Sequence, residues 1–504
     1  MISLESMISQ ENPVRLIDAF AEKLDLEKLG FTIAKLNTQG RPSFDSRVFL
    51  KIYFYGYVNG LRSSRKLERE CTRNIEMQWL TGKLMPNYHT IADFRKDNPD
   101  ALRRTFKLFV SFLKDADLIA GEVVAIDGTK VRAHNSKKNN FNPKKIERHL
   151  EYIEKRTNEY LTQLDEFDKV EQAEKIRDVK KKIVRLKDNK IKYEALGDLM
   201  EDKNIVQIST TDPDSRALLV QGQVVEVSYN VQAAVDEKHK LVVATHTINR
   251  NDRNAMSAIA KEAKANLASE NYTALLDKGY HNGRELEECK KQNITTICAH
   301  AEVVNSNEKG TTPDYIVTKF VYNKDEDTYT CPQGKTLRTS GTWHKKSRER
   351  DSYNFKKYRT PACKECPVKH LCTGRAQGGR EIERSEFAEA VEENNKRYHE
   401  NAALYRKRQE INEHIFGTIK RGWSYNYTNL KGLKKVNGEM ALVMTVYNFK
   451  RAVNILGVTD FLDKLKKWNP DYKRTVLTFL KMHFERAVLR HSFFQRYYLS
   501  LNLR

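Results

Sequence analysis

The spacing of apolar residues changes twice along the chain, and each change predicts a different kind of element. Up to about residue 115 the period is helical. Apolar positions recur through Ser46–Tyr57, SSRKLERECTRNIEMQWLTG reads as an amphipathic helix with its approach, and Thr90 is placed to cap a helical stretch over Ile91–Ala116. The pattern then turns strand-like. Glu122–Arg132 is a short apolar run that breaks at Asp127-Gly128 and resumes. Val225–Asp236 and Leu241–Asn249 are β-rich and joined by EKHK, which predicts a hairpin. A helical stretch, DRNAMSAIAKEAKANLA, follows. Tyr272–Leu276 is then a strand ending at Asp277, RELEECKKQ a helix and ITTICAH a further strand.

The order strand, strand, strand, helix, strand, helix, strand is that of an RNase H-like α/β fold, a mixed sheet flanked by helices. Two inserts interrupt it. Between about 135 and 222, Ile146, Leu150, Ile153, Thr157, Tyr160 and Leu164 recur at three-to-four spacing, and Ile176, Val179, Ile183 and Leu186 do so after a polar break. This predicts an antiparallel helical hairpin whose outer positions are Lys, Arg, Glu and Asp, either a solvated face or a DNA or subunit contact. The second insert, 301–385, holds four of the seven cysteines. Residues 386–420 read as one long helix, and MALVMTVYNFKRAVNIL as an apolar helix packed on the core. From Thr459 onward ten Lys/Arg stand against four Asp/Glu, among Phe, Trp and Tyr, as in a basic DNA-contacting helix or an ordinary amphipathic one. The predicted organisation is a helical region for DNA binding or dimerisation (1–115), a catalytic region (116–423) carrying the inserts, and a basic helical C-terminal region (424–504).

Composition sharpens this picture. A formal charge of +22 with 39% hydrophobic residues describes a folded, strongly basic chain. The expected partner is a polyanion, of which nucleic acid is the usual large one; ribosome-associated and membrane-surface proteins share the feature. No apolar run reaches the roughly 18–20 residues that span a bilayer, and the N-terminus lacks a signal-peptide pattern, so the expected location is the cytoplasm, at the nucleoid, with no membrane. In that reducing compartment cysteines serve metal ligation more readily than disulfides.

Phosphodiester cleavage requires a strong nucleophile and a means of spreading charge at phosphorus, which two divalent ions about 3.5–4 Å apart supply. Mg²⁺ takes hard oxygen ligands from a few carboxylates. Asp127 follows VVAI and precedes Gly128-Thr129; Asp277 follows YTALL and precedes Lys278-Gly279-Tyr280. Each is expected at the C-terminal end of a central strand, where ligands gather in α/β folds. A strand-end Asp before Gly is also an ordinary turn residue. Two such residues on neighbouring strands of a basic chain favour a metal site. Glu413, in a helix with Tyr405, Arg408, Glu410 and Lys420, is the expected third ligand. Lys420 follows it two helical turns later on the same side, while the seventh position after Glu410 is Gly417, which offers no cation.

These segments resemble the DDE transposases of bacterial insertion sequences. AIDGTKVRAHNS, with Asp127, resembles their first catalytic segment, and LLDKGYHNG, with Asp277, the second. HTINRNDRNAM, with Asp252, resembles the stretch before the second, and INEHIFGTIKRG, with Glu413, the third. Many relatives read Y-x2-R-x3-E-x6-K there; this chain has Tyr405-x2-Arg408 and Glu413-x6-Lys420, with four residues between Arg408 and Glu413. FYGYVNGLRSSRKLEREC and NYHTIADFR resemble the helical region that precedes the catalytic one. The resemblance implies a polynucleotidyl transferase with Asp127, Asp277 and Glu413 as catalytic metal ligands. Two Mg²⁺ or Mn²⁺ ions would bind there, and Tyr405, Arg408 and Lys420 would lie against DNA. Its partners would be double-stranded transposon ends and target DNA, joined by a homodimer. A catalytically silent DNA-binding regulator of transposase descent is the alternative. Cys363-x2-Cys366, with Cys331 and Cys372, has the spacing of a structural zinc site, with unligated thiols as the alternative.

Overall fold

The computed structural model describes residues 3–32, 44–134, 137–168, 173–220, 224–300, 311–348 and 351–472 of the 504. The chain opens with helices α1 (Leu4–Met7), α2 (Val14–Lys23), α3 (Ser46–Val58), α4 (Ser64–Arg73), α5 (Ile75–Thr81), α6 (Tyr88–Asp97) and α7 (Pro99–Asp115). Side chains of Asp45, Asn74 and Asn87 accept first-turn N–H groups of α3, α5 and α6. The cap of α6 is therefore Asn87 and not Thr90, whose own N–H donates to Asn87 Oδ1 at 2.9 Å. The helix expected over Ile91–Ala116 is two helices, because Pro99 lacks the N–H that would continue α6 and instead opens α7.

The next elements are β1 (Val123–Arg132), β2 (Asn140–Phe141), α8 (Pro143–Asp168), α9 (Ala173–Asp202), β3 (Ile208–Ser209), β4 (Arg216–Val220), β5 (Val224–Asp236) and β6 (Val242–Ile248). They are followed by α10 (Met256–Leu267), β7 (Tyr272–Leu276), α11 (Gly283–Lys291) and β8 (Ile294–Cys298). The main sheet runs β5–β1–β7–β8, with β4 and β6 pairing the two halves of the outer edge of β5. The strand β5 is antiparallel to both β1 and β6, and β7 and β8 run parallel to β1. The sheet is the RNase H-like arrangement expected from the element order. The predicted interruption at Asp127-Gly128 is absent: β1 runs straight through, because β5 continues to pair with it (Asp127↔Ala233, Gly128↔Gln232, Thr129↔Val231).

The helical hairpin is present as α8 and α9. Ile146, Ile153, Val179 and Ile183 are buried along its seam, and the polar break at 169–172 lies outside the described residues. Its base is closed by the β2–β3 pair and a small core of Phe141, Ile146, Met200 and Ile208. The second insert forms a sheet that the sequence reading did not anticipate: β9 (Val321–Asn323), β10 (Thr328–Thr330), β11 (Thr336–Thr339), β12 (His344–Arg348), β13 (Asp351–Arg359) and, past the short helix α12 (Lys369–Cys372), β14 (Ile382–Ser385). It has its own core of Phe320, Tyr329, Leu337, Tyr358 and Ile382.

The long helix expected over 386–420 is broken into α13 (Ala388–Glu400) and α14 (Ala402–Phe416) at Asn401, whose φ of −116° and ψ of 37° leave the helical region. A π-helical turn, Gly417–Gly422, then ends it. The final described helix, α15 (Leu433–Lys467), is buried from Val436 to Phe449 and packs on the sheet, as its apolar run predicts. Asn448 supplies the edge strand β6 with the pairing it lacks: its Oδ1 accepts the Val242 N–H at 2.8 Å and its Nδ2 donates to the Val242 carbonyl at 2.7 Å. The basic tail beyond residue 472 lies outside the described residues.

Candidate active site

Strand register brings the two aspartates together. β1 and β7 pair in parallel from Val123↔Thr273 to Ile126↔Leu276. The next residue on each strand, Asp127 and Asp277, therefore stands beside the other where that pairing stops, about one strand spacing (~4.8 Å) apart. Asp277 follows its strand directly, as predicted. Asp127 lies within β1 rather than at its end, because only the β7 side of its pairing is lost.

Arg408 of α14 sits over both. Its Nη1 is 3.4 Å from Asp127 Oδ2 and its Nη2 is 3.9 Å from Asp277 Oδ1. The Gly128 N–H donates to Asp127 Oδ1 at 2.8 Å. Burial raises the proton affinity of Asp127; the Gly128 N–H and Arg408 oppose this, while the charges of Asp252 and Asp277 add to it. Tyr405, one turn before Arg408, holds its ring 5.8 Å from the guanidinium carbon. Lys420 Nζ donates to Thr129 Oγ1 at 3.2 Å and to the Lys130 carbonyl at 3.1 Å, with burial lowering its pKa.

The alternation of β1 divides the site in two. Asp127 and Thr129 face α14 and its cations. Gly128 and Lys130 face the opposite side, where Asp252 is held. Asn230 Nδ2 and Gln232 Nε2 each donate to Asp252 Oδ1 at 2.8 Å, and Lys130 Nζ lies 2.8 Å from Oδ2. Burial works against ionising Asp252, but Lys130 and the two amides outweigh it and the pKa falls. Tyr280, three residues after Asp277, donates its hydroxyl hydrogen bond to Gln232 Oε1. Cys298 Sγ bonds the Asp277 carbonyl at 3.3 Å. The loop carrying Asp277 is thus tied to β5 from below and to β8 from the side. Gly128 leaves room for this layer: a Cβ there would lie 2.2 Å from Gln232 Nε2 and 2.5 Å from Asp252 Oδ1.

Of the predicted site residues, Asp127, Asp277, Tyr405, Arg408 and Lys420 meet along β1. Glu413 does not join them. It is exposed on α14 and accepts a bond from Gln409 of the same helix at 2.7 Å. The inward face of that helix is Arg408, Ile411, Asn412 and Ile415, with Gln409, Glu410 and Glu413 outside. Glu410 pairs with Lys240 at 3.2 Å. The expected stacking of Lys420 above Glu413 is also lost, because the wider π turn rotates Lys420 off that side and onto β1. Of the supporting layer, the sequence pointed only to Asp252, within HTINRNDRNAM; Lys130, Asn230, Gln232 and Tyr280 were not assigned to it. Its signal is Ser228, Asn230 and Gln232, polar residues at every second position of a buried strand.

Cys331, Cys363, Cys366 and Cys372 line one small cleft of about 30 Å³, and the Lys335 N–H points at Cys331 Sγ at 3.3 Å. Burial pushes the Cys372 thiol up, Arg380 opposes this, and the other three thiols add to it. Among the described residues, no three His, Cys, Asp or Glu side chains are grouped closely enough to hold a metal ion, either in this cleft or around Asp127 and Asp277. Nor is any described helix long and apolar enough to cross a membrane.

Two family models match the chain. A transposase DDE domain covers residues 330–453, which include Tyr405, Arg408, Glu413, Lys420 and the cysteine cleft, and a transposase domain covers residues 2–97 of the N-terminal helices. The comparison with curated proteins gave no match. Asp127 and Asp277 lie between the two matched segments, on the RNase H-like sheet that a DDE domain implies. By its fold and by both matches, the chain is similar to the DDE transposases of insertion sequences.

Proposed function

We propose that this transposase binds the terminal inverted repeats of its element as a homodimer. It would cleave to free a 3′-hydroxyl and join that hydroxyl to target DNA by transesterification, acting at the nucleoid in the cytoplasm. The observation that carries the reading is the pairing of Asp127 with Asp277 by strand register under one shared guanidinium. Two adjacent carboxylates, one buried beside a cation, form the hard-oxygen donor set that Mg²⁺ or Mn²⁺ takes, and the family uses divalent ions. Bound there, two such ions supply Lewis acidity at the phosphorus and an activated oxygen nucleophile.

The protein's own residues do the rest. Asp127 and Asp277 hold the charge. Glu413 would complete the ligand set only if α14 turned its outward face toward the two aspartates. Arg408 neutralises the two carboxylates until a phosphate and its counterions arrive, and then turns to the phosphate. Lys420, anchored on β1, and Tyr405 hold the DNA strand across the sheet edge. The layer around Asp252 fixes the distance between the two strands. The four thiols of the cysteine cleft would have to draw closer than they stand here to take one structural zinc ion, which metal analysis would find at about one per chain.

The test is a nicking and strand-transfer assay on end-containing duplexes, with Mg²⁺ added or chelated. Asp127→Asn and Asp277→Asn should each lower cleavage by orders of magnitude while duplex binding persists. Glu413→Gln should do the same, and Glu410→Gln, at a residue paired with Lys240, should leave cleavage near normal. DNA binding without Mg²⁺-dependent cleavage in the unaltered chain would instead identify a silent regulator. The opposite result for the two glutamates would move the third ligand to Glu410.

A further inference from the structure

The helical hairpin takes no part in the site described above, yet its two helices differ sharply in charge. α8 carries seven acidic and five basic residues and α9 nine basic and seven acidic, but α9 is segregated: its residues 173–192 hold all nine Lys/Arg and only three Asp/Glu. A face that merely solvates the hairpin would mix both signs at three-to-four spacing. Here Ile176, Arg177, Lys180, Lys181, Val184 and Arg185 line one open helical stripe, and its four cations are exposed. Arg177, Lys180 and Arg185 form no ion pair with a described residue, and Lys181 has only a loose contact with Asp178 at 3.8 Å.

The hairpin is rooted at the active-site strand. β1 ends at Arg132, and the β2–β3 pair at the hairpin base begins eight residues later. From Asp202, next to that base, α9 runs back through Arg185 to Arg177. At 1.5 Å per residue the stripe lies roughly 25–40 Å from the base. One turn of B-DNA is about 34–36 Å.

We infer that this stripe of α9 is a second DNA contact, gripping phosphates about one helical turn of duplex out from the hairpin base, beyond the segment held at Asp127 and Asp277. The inference rests on the DNA-cleaving reading of the site. Duplex DNA is favoured over a second copy of the chain because a two-fold contact would set the stripe against itself, cation against cation. Phosphate contacts of this kind carry no sequence information, so any duplex long enough to span the distance is a valid probe.

The experiment compares the full chain with a variant carrying Arg177→Gln, Lys180→Gln, Lys181→Gln and Arg185→Gln. Affinity for an arbitrary duplex of roughly 40 base pairs is measured across a salt series, with oligomeric state followed by sedimentation. Each lost phosphate contact removes about 0.9 from the slope of log affinity against log salt, so the slope should become shallower by about 3–4. A Lys180→Arg, Lys181→Arg variant keeps the charge and should keep the slope, which separates loss of charge from loss of fold. An unchanged slope in the glutamine variant overturns the inference. So does an unchanged slope together with a loss of dimer, which would make the stripe a subunit contact. If the unaltered chain fails to bind the duplex at all, the DNA-cleaving reading itself falls.

Discussion

Gly128 separates the two faces of the site by the space of one missing methyl group. Alanine there would drive a Cβ into Gln232 Nε2 and Asp252 Oδ1, breaking the bonds that tether the Asp277 loop. Gly128→Ala should therefore destabilise the protein by about 1–3 kcal/mol, measured by denaturation. It should also abolish cleavage with both aspartates intact; normal cleavage would mean the Asp252 layer is not needed. Arg408 is the other point of control. Burial raises Asp127 and Arg408 works to lower it, so Arg408→Gln should move the protonation of Asp127 to still higher pH. Because the proposed role of Asp127 is to hold metal in its ionised form, the acid limb of the pH–cleavage profile should shift upward, and an unmoved limb would assign it to another group. Asp252 titrates the other way. Its pKa is depressed in the fold, so its contribution to stability is present above the ordinary aspartate value and lost as pH falls through the depressed one.

Among the elements, Asn448 of α15 does for the edge strand β6 what a neighbouring strand would do. Asn448→Leu keeps the size and leaves a buried N–H and a buried carbonyl unpaired. It should cost about 2–6 kcal/mol, at 1–3 kcal/mol per orphaned group, in chemical denaturation. A loss below 1 kcal/mol would show that water replaces the amide. Five strands of the main sheet were legible in the sequence because each is an apolar run ended by a turn signal, and Tyr272–Leu276 was read to the residue, whereas β4 fell within the stretch read as a helical hairpin. The helix breaks were harder. Nothing in the composition at Asn401 competes with the strong helix formers on either side, and a π turn has the same residue types as an α turn. That blindness is why Glu413 and Lys420 were read on one side of a continuous helix. The second sheet was missed for another reason: its strands of three to nine residues are largely polar, so period-two alternation is faint.

At the scale of the whole chain, the hydrophobic core does not respect the boundary near residue 115 that the change of period suggests. One cluster runs from Ile8 to Trp468. α7 packs against α15, Arg95 lies 3.8 Å from buried Glu439, and Trp468 Nε1 donates to Asp115 at 3.2 Å. The N-terminal helices should therefore not unfold ahead of the sheet. Loss of helix by far-UV circular dichroism and exposure of Trp79, Trp423 and Trp468 by fluorescence should coincide in denaturant. An early fluorescence phase assigned to Trp79, with the sheet intact, would show a separately folding N-terminal unit.

For a mobile element, the fit around Gly128 has a cost counted in generations. Every amino acid other than glycine brings a Cβ that the side-chain ends of Gln232, Asp252 and Asn230 must move aside to admit. A copy can thus keep Asp127, Asp277 and Glu413 unaltered and still be inert. Surveys that score old copies by their three acids would count such fossils as alive; the glycine after the first aspartate is the better census mark.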